Sequence, residues 1–326
     1  MRRKSVNYAK YGYIFSIPFV LAFLIFNLYP TLYTAVIGFT DMKGLGKTTF
    51  KFLADPFQNF QTILKNPSFQ ESLGNTLVIW IINFIPQILL ALLLTAWFTS
   101  PRRKIKGQGM FKVLFYMPNI ITAATIAILF SSLFGYPMSP ANDFFVTLGL
   151  SKEPINFLLD KMTARGIISF IQFWMWYGST MIVLISGVLG INPEIFEAAD
   201  IDGASGAQTF FFVTLPNVRT ILLYTLITSL IGGLQMFDIP RMFIANGGPD
   251  GATLTTSLFI YNQAFSGSYL YNRASAASMI MFVIICVLSA MIFYVMRDKE
   301  ASKIYKLNKK MEKEYKRQEK ATRRAA

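Results

Sequence analysis

Residues 197–216 read EAADIDGASGAQTFFFVTLP, and with Glu194 just upstream they gather four acids, Glu194, Glu197, Asp200 and Asp202, within nine residues. The chain around them is strongly basic, with 31 Lys and Arg against 17 Asp and Glu and a net charge of +14. A charge-free apolar run, Gly166–Gly190, precedes the stretch, and another opens at Thr220. An acidic turn between two apolar segments of a basic chain needs a reason, and the flanking segments supply the fold.

With 53% apolar residues in 326, the chain would show water too much hydrocarbon as an ordinary soluble domain. A membrane helix needs about 20 apolar residues. Six uncharged segments approach or exceed that length: Tyr13–Phe39, Leu73–Phe98, Val113–Phe134, Gly166–Gly190, Thr220–Phe237 and Ala274–Met296. The expected fold is therefore all-α, a polytopic membrane protein with six transmembrane helices. A further uncharged run, Leu254–Asn272, is rich in Thr, Ser, Asn, Gln and Gly, and reads as an extramembrane loop. The first run is too long for a secretory signal core, and Phe26, Tyr29 and Tyr33 stand where small residues would mark cleavage, so it reads as a retained anchor.

Lys and Arg cluster in the N-terminal arm, in the second short loop (Arg102, Arg103, Lys104, Lys106, Lys112) and in the tail after Met296, which carries twelve basic residues against five acids. With six spans these segments share one side, which predicts that both termini are cytoplasmic. Parity puts 192–219 on that side too, although its net charge is −3. The expected domains are a cytoplasmic arm (1–12), a six-helix transmembrane domain (13–296) and a basic cytoplasmic tail (297–326). In the tail Ile304, Leu307, Met311 and Tyr315 share one helical face, for anionic headgroups or for a regulator.

The chain has one cysteine, Cys286, and no histidine, which excludes an internal disulfide and disfavours a zinc or redox centre. No ionisable residue lies within the six runs, where ion-coupled carriers usually keep one. The sequence GKTT at 46–49 ends like a phosphate loop, but Asp41 stands where the earlier glycine is required. If ATP drives transport, another chain hydrolyses it.

Asn192-Pro193-Glu194 reads as a helix start: Asn caps, Pro suits the first helical position, and Glu194 and Glu197 favour the positive end of the helix dipole. A short helix is expected through Glu197-Ala198-Ala199. Asp202-Gly203 supplies a turn, with Asp202 expected to cap a second short helix over 204–214 that Leu215-Pro216 ends. Polar residues that merely satisfy helix ends at the membrane surface are the alternative reading.

Glu197-Ala198-Ala199, three residues, Gly203, nine residues, then Val213-x-Leu215-Pro216 closely resembles the EAA loop of permease subunits in bacterial ATP-binding-cassette importers, with Val213 where Ile is usual. YIFSIPFVLAFLIFNLYPTLYTAVIGFTD, NTLVI, YMPNIITAATIAILF and LQMFDIPRMFIANGGPDGATLTTSLFIYNQAF are similar to the sugar-permease branch related to the maltose and glycerol-phosphate subunits. Asn272-Arg273 departs from that branch's Gly-Tyr. The resemblance implies a cytoplasmic coupling helix in which Glu197 meets a basic residue of an ATPase subunit. It also implies a second homologous permease, two ATPase subunits that hold ATP and magnesium, and an extracytoplasmic binding protein. This chain would then hold no cofactor and be no enzyme.

A sugar path wants amides and aromatic faces within apolar helices. FIQFWMWYGS (170–179) and IGGLQMFD (231–238) offer them, and the resemblance makes Gln172, Trp176, Gly232, Gly233, Gln235 and Met236 the candidate path. A buried amide is costly unless hydrogen bonded, so Gln172 and Gln235 face protein or a cavity, and interhelical bonding stands beside substrate contact for both. Trp174 and Trp176, two apart, cannot both face the path. The reading is an importer subunit for a neutral sugar in a bacterial inner membrane, with no role for nucleic acid. An ion-coupled carrier, a membrane scaffold and an importer of a glycerol-phosphate-type solute are the alternatives.

Overall fold

The computed structural model describes residues 9–47, 49–100, 105–244, 247–267, 269–297, 307–312 and 314. Most of the arm, Arg102–Lys104, and Ile304 and Tyr315 of the tail lie outside the described residues. The helices, in chain order, are α1 (Ala9–Phe23), α2 (Tyr29–Ile37), α3 (Gln58–Leu64), α4 (Pro67–Phe98), α5 (Gln108–Ile120), α6 (Ala123–Leu133), α7 (Pro140–Thr147), α8 (Lys161–Leu189), α9 (Pro193–Ile201), α10 (Gly206–Gln208), α11 (Leu215–Asn217), α12 (Arg219–Leu234), α13 (Asp238–Phe243), α14 (Thr256–Phe265) and α15 (Tyr271–Met296). A π-helical turn, Leu24–Leu28, joins α1 to α2 just before Pro30, and a second, Thr209–Thr214, joins α10 to α11 just before Pro216. Proline lacks the amide hydrogen that would close the preceding turn, and the wider turn takes up the break.

Among the described residues, five continuous stretches are long and apolar enough to cross a membrane: Lys10–Ile37, Pro67–Phe98, Lys161–Leu189, Arg219–Phe243 and Tyr271–Met296. The run expected as a single third span divides into α5 and α6, bent by 89°, and a sixth span exists only if this pair is counted as one. Local chemistry explains the bend. Pro118 removes a hydrogen bond from the last turn of α5, Ile121 is extended (φ −74°, ψ 138°), and the Thr122 side chain accepts from the Thr125 amide to start α6 afresh. Leu254–Asn272 is no simple loop either. Thr255 caps α14, and Thr256 is buried with its backbone N–H donating to Thr76 Oγ1 at 2.9 Å, so this polar run folds as a helix packed on α4 and α15.

The centre of the molecule is the pair α4 and α8, with α5 packed along α8, α12 packed against both, and α15 packed against α12 and α14. One apolar cluster joins Ile79 of α4 to Ile126 and Phe130 of α6, Ile168, Ile171 and Met175 of α8, and Phe243 of α13. A second, nearer the 192–218 turn, joins Ala91 and Leu94 of α4 to Met181, Leu184 and Ile185 of α8. Interior glycine allows the closest approach: a Cβ on Gly178 would lie 1.9 Å from the Phe115 carbonyl oxygen, so α5 meets α8 backbone to backbone. Close approach through small residues is how apolar helices gain packing where lipid competes with any hydrophobic contact. The first span is different: the apolar window of Lys10–Ile37 is wholly unburied.

The loop before α14 is held in place by polar side chains of α4 and α8. Asn75 Nδ2 donates to the carbonyls of Gly251 (2.8 Å) and Leu254 (3.1 Å), while Arg165 donates to Ala252 O (2.9 Å) and to Asn75 Oδ1 (2.5 Å). Lys161 pairs with Asp250 at 3.2 Å across the exposed surface.

Candidate functional site: a polar cavity and an acidic elbow

Two features lie on the same helices. α8 ends at Leu189 and the chain turns at once into α9, whose start is built as its residues dictate: Asn192 Oδ1 accepts from the Glu194 amide at 3.2 Å and Pro193 takes the first turn. The helix presents Glu194, Glu197, Ala198, Asp200 and, at 86% exposure, Ile201 to the surface, and buries only Ala199. Small Ala198 and Ala199 keep the helix slim, and its apolar Ile201 tip is open to a partner.

The turn departs from expectation at two residues. Asp202 closes α9 as its C-cap rather than opening the next helix, with its own amide donating to Ala198 O at 2.9 Å. Gly203 follows at φ +71°, a left-handed geometry that a side chain disfavours. The second helix is opened by Ser205 instead, through a capping box: Ser205 Oγ accepts from the Gln208 amide (3.3 Å) and Gln208 Oε1 accepts from the Ser205 amide (2.7 Å). Ser-x-x-Gln was visible in the sequence and was the missed signal. Leu215-Pro216 does not end this helix. The π-helical turn at Thr209–Thr214 accommodates Pro216, and the chain runs through α11 directly into α12.

The elbow thus joins α8 to α12, and between α4, α8 and α12 lies a cavity of about 390 Å³. Gln172, Trp176, Gly232, Gly233, Gln235 and Met236 all line it. Trp174 turns away and packs edge-on against Phe130, ring centroids 5.7 Å apart, while Trp176 is about half exposed on the cavity wall. The wall from α4 was not anticipated: Trp80, Asn83 and Gln87 sit in a run that reads simply as apolar, but their spacing of three and four puts them on one face. Gln87 is buried and donates to Thr180 Oγ1 at 2.8 Å, tying α4 to α8 across the cavity wall. Hydroxyls of Ser179, Thr228 and Ser229 add to the lining, and among the described residues Asp238 is the one charged side chain on it. Such a wall of hydroxyls, amides and two indoles matches a solute that offers hydroxyls and small apolar faces. No group of His, Cys, Asp and Glu among the described residues is arranged to hold a metal ion.

A second cavity, about 780 Å³, lies beside the elbow, between Leu93 and Trp97 of α4 and Phe196, Phe210 and Phe211.

Residues 73–303 match the family described as the binding-protein-dependent transport system inner membrane component. The chain belongs to that family. The permease is 31% identical over 290 residues to the lactose transport system permease protein LacF of Rhizobium radiobacter, covering 89% of this chain and 95% of the relative. It is also 31% identical to the multiple sugar-binding transport system permease protein MsmF of Streptococcus mutans, covering 89% and 96% of the two chains. Its fold matches a chain of a crystal structure of a bacterial ABC transporter involved in the import of the acidic polysaccharide alginate, with a TM-score of 0.74 at 21% identity over 89% of this chain and 97% of that one. The long apolar helices and the family together make it a membrane-embedded transport subunit.

Proposed function

We propose that this permease conducts a neutral sugar or oligosaccharide through a bacterial inner membrane, as one half of an ATP-driven importer. The observation that carries the reading is mechanical: the two helices that flank the exposed acidic elbow, α8 and α12, are also walls of the hydroxyl- and amide-lined cavity. A force applied at Glu194–Asp202 therefore acts on both sides of the solute site. The partners are a second homologous permease, two ATPase subunits that hold ATP and magnesium and receive Glu197, and an extracytoplasmic binding protein that delivers the sugar. ATPase closure drives the elbow and turns the cavity from one face of the membrane to the other. Both termini and the elbow lie in the cytoplasm, with residues 1–12 and 297–326 flanking a transmembrane domain of 13–296.

The lactose, arabinooligosaccharide and multiple-sugar permeases among the relatives support a carbohydrate cargo. So does the cavity's chemistry, because none of its described lining residues is basic and a phosphate or carboxylate would meet Asp238 unpaired. The test is the basal and sugar-stimulated ATPase rate of the co-expressed complex. Glu197→Lys is expected to uncouple or release the ATPases, whereas Gln235→Ala is expected to spare assembly and blunt sugar stimulation. A complex that retains coupling with Lys at 197 would remove the docking role from the elbow.

A further inference from the structure

The cavity contains one side chain whose placement is over-determined. Trp80 lines it from α4, and its indole enters a notch in α12 where Gly233 has no side chain: a Cβ there would lie 1.9 Å from Trp80 Cδ1 and 2.7 Å from Nε1. The ring is also stacked on Phe84 at 5.4 Å and 16°, and its Nε1–H donates to Ser229 Oγ at 3.4 Å. It packs against two of the apolar clusters, one shared by α4, α6 and α8 and the other by α12 and α15.

Gly233 has no backbone reason to be glycine. It lies inside α12 with no left-handed φ, where glycine costs about 0.5–1 kcal/mol relative to alanine. Its neighbour makes the contrast: a Cβ on Gly232 would meet nothing within 4 Å. The two adjacent glycines therefore do different things, one widening the cavity and the other seating an indole. At about 390 Å³ the cavity is near the small end of the ~300–1,000 Å³ common for ligand sites, so the bulk of one indole is a large share of its cross-section.

We propose that Trp80 is a specificity-determining residue of the permease: held in the Gly233 notch, it sets the width of the cavity and so the size of sugar that passes. Gly233 is its positioning residue. The inference rests on the carbohydrate reading and adds to it a selection by size at the membrane step, distinct from selection by the binding protein.

The test is uptake by the complete importer in proteoliposomes, with its binding protein, over a ladder of di-, tri- and tetrasaccharides of the sugar that stimulates its ATPase. Trp80→Ala is expected to raise the KM for the disaccharide roughly tenfold and to shift the preference toward longer sugars. Trp80→Phe should fall between. Gly233→Ala should shift the profile in the same direction by displacing the indole, yet change nothing further in a Trp80→Ala background, because a residue that acts only by seating Trp80 has no effect once Trp80 is gone. That double variant guards against mistaking misfolding for selectivity, since a merely structural defect at Gly233 would add to the first. A length profile unchanged by Trp80→Ala, or equal losses from Gly233→Ala in both backgrounds, overturns the assignment. If the wild-type importer moves no member of any neutral oligosaccharide series, the carbohydrate reading falls and this assignment falls with it.

Discussion

The contact between α5 and α8 makes the sharpest quantitative prediction. An ideal Cβ on Gly178 would stand 1.9 Å from Phe115 O, 2.7 Å from its carbonyl carbon and 2.9 Å from Tyr116 Cα, and real Cβ contacts essentially never fall below 3.0 Å. All three obstacles are backbone, so no rotamer change relieves them. Gly178→Ala must push α5 away from α8 by at least the difference between 3.0 and 1.9 Å, about 1.1 Å along that contact. A gap of this order forfeits a quarter to a half of the dispersion attraction across the affected contacts. It also strains the nearby bond from Asn119 Nδ2 to Met175 O, 3.3 Å long. Overpacking of this kind costs about 1–3 kcal/mol where side chains can yield, so about 3 kcal/mol or more is expected where backbone must. That is roughly a 100-fold fall in the ratio of folded to unfolded chain. The assay is equilibrium unfolding of the purified chain in mixed micelles, followed by tryptophan fluorescence, with Gly74→Ala as the control because a Cβ at Gly74 meets nothing within 4 Å. If Gly178→Ala unfolds within about 0.5 kcal/mol of the wild type, the close backbone crossing of α5 and α8 is wrong.

Three further outcomes follow from the hydrogen bonding. Ser205→Ala removes one half of the capping box with Gln208 and should loosen 205–214 by about 1 kcal/mol, seen as several-fold faster amide exchange there with α9 unaffected; unchanged exchange would leave the box without energetic weight. Asn75→Leu strips the carbonyls of Gly251 and Leu254 of a donor and Arg165 of an acceptor, for an expected loss of about 3 kcal/mol. Exchange or proteolysis localised to 247–256 would show it, and a protected loop would refute it. At the start of α8 the Asp160 carboxyl accepts from the Thr163 amide and hydroxyl, and the amide bond above all holds its pKa below the ordinary 3.8. A depressed pKa in the folded chain means that the cap contributes fully above the unfolded value and is lost as pH falls through the folded one. Exchange in the first turn of α8 should therefore be constant, after correction for intrinsic rate, from neutral pH down to the carboxylate range and rise only below it. Asp160→Asn should abolish that acid-side change.

Much of this permease was determined by sequence alone. Uncharged runs of bilayer length permit only helices, because a lipid-exposed backbone must satisfy its own hydrogen bonds, so the all-α class and most span positions are local properties. The elbow was equally legible in outline, since Asn192, Pro193 and Gly203 act on the backbone nearest to them. Three things were not legible there. The bend of α5 against α6 depends on where Pro118 and Thr122 fall within one apolar run that hydropathy averages over. The helix at 256–265 depends on Thr76 and Asn75, some 180 residues away in the chain, which satisfy polar groups that looked too numerous for burial. The cavity wall supplied by Trp80, Asn83 and Gln87 appears only when α4 is laid against α8 and α12, because a glycine has no visible purpose until the indole that fills its place arrives from another helix. Spans and caps follow from what each residue does to its own turn of chain; a site made of several helices follows from which faces meet, and only the tertiary structure decides that.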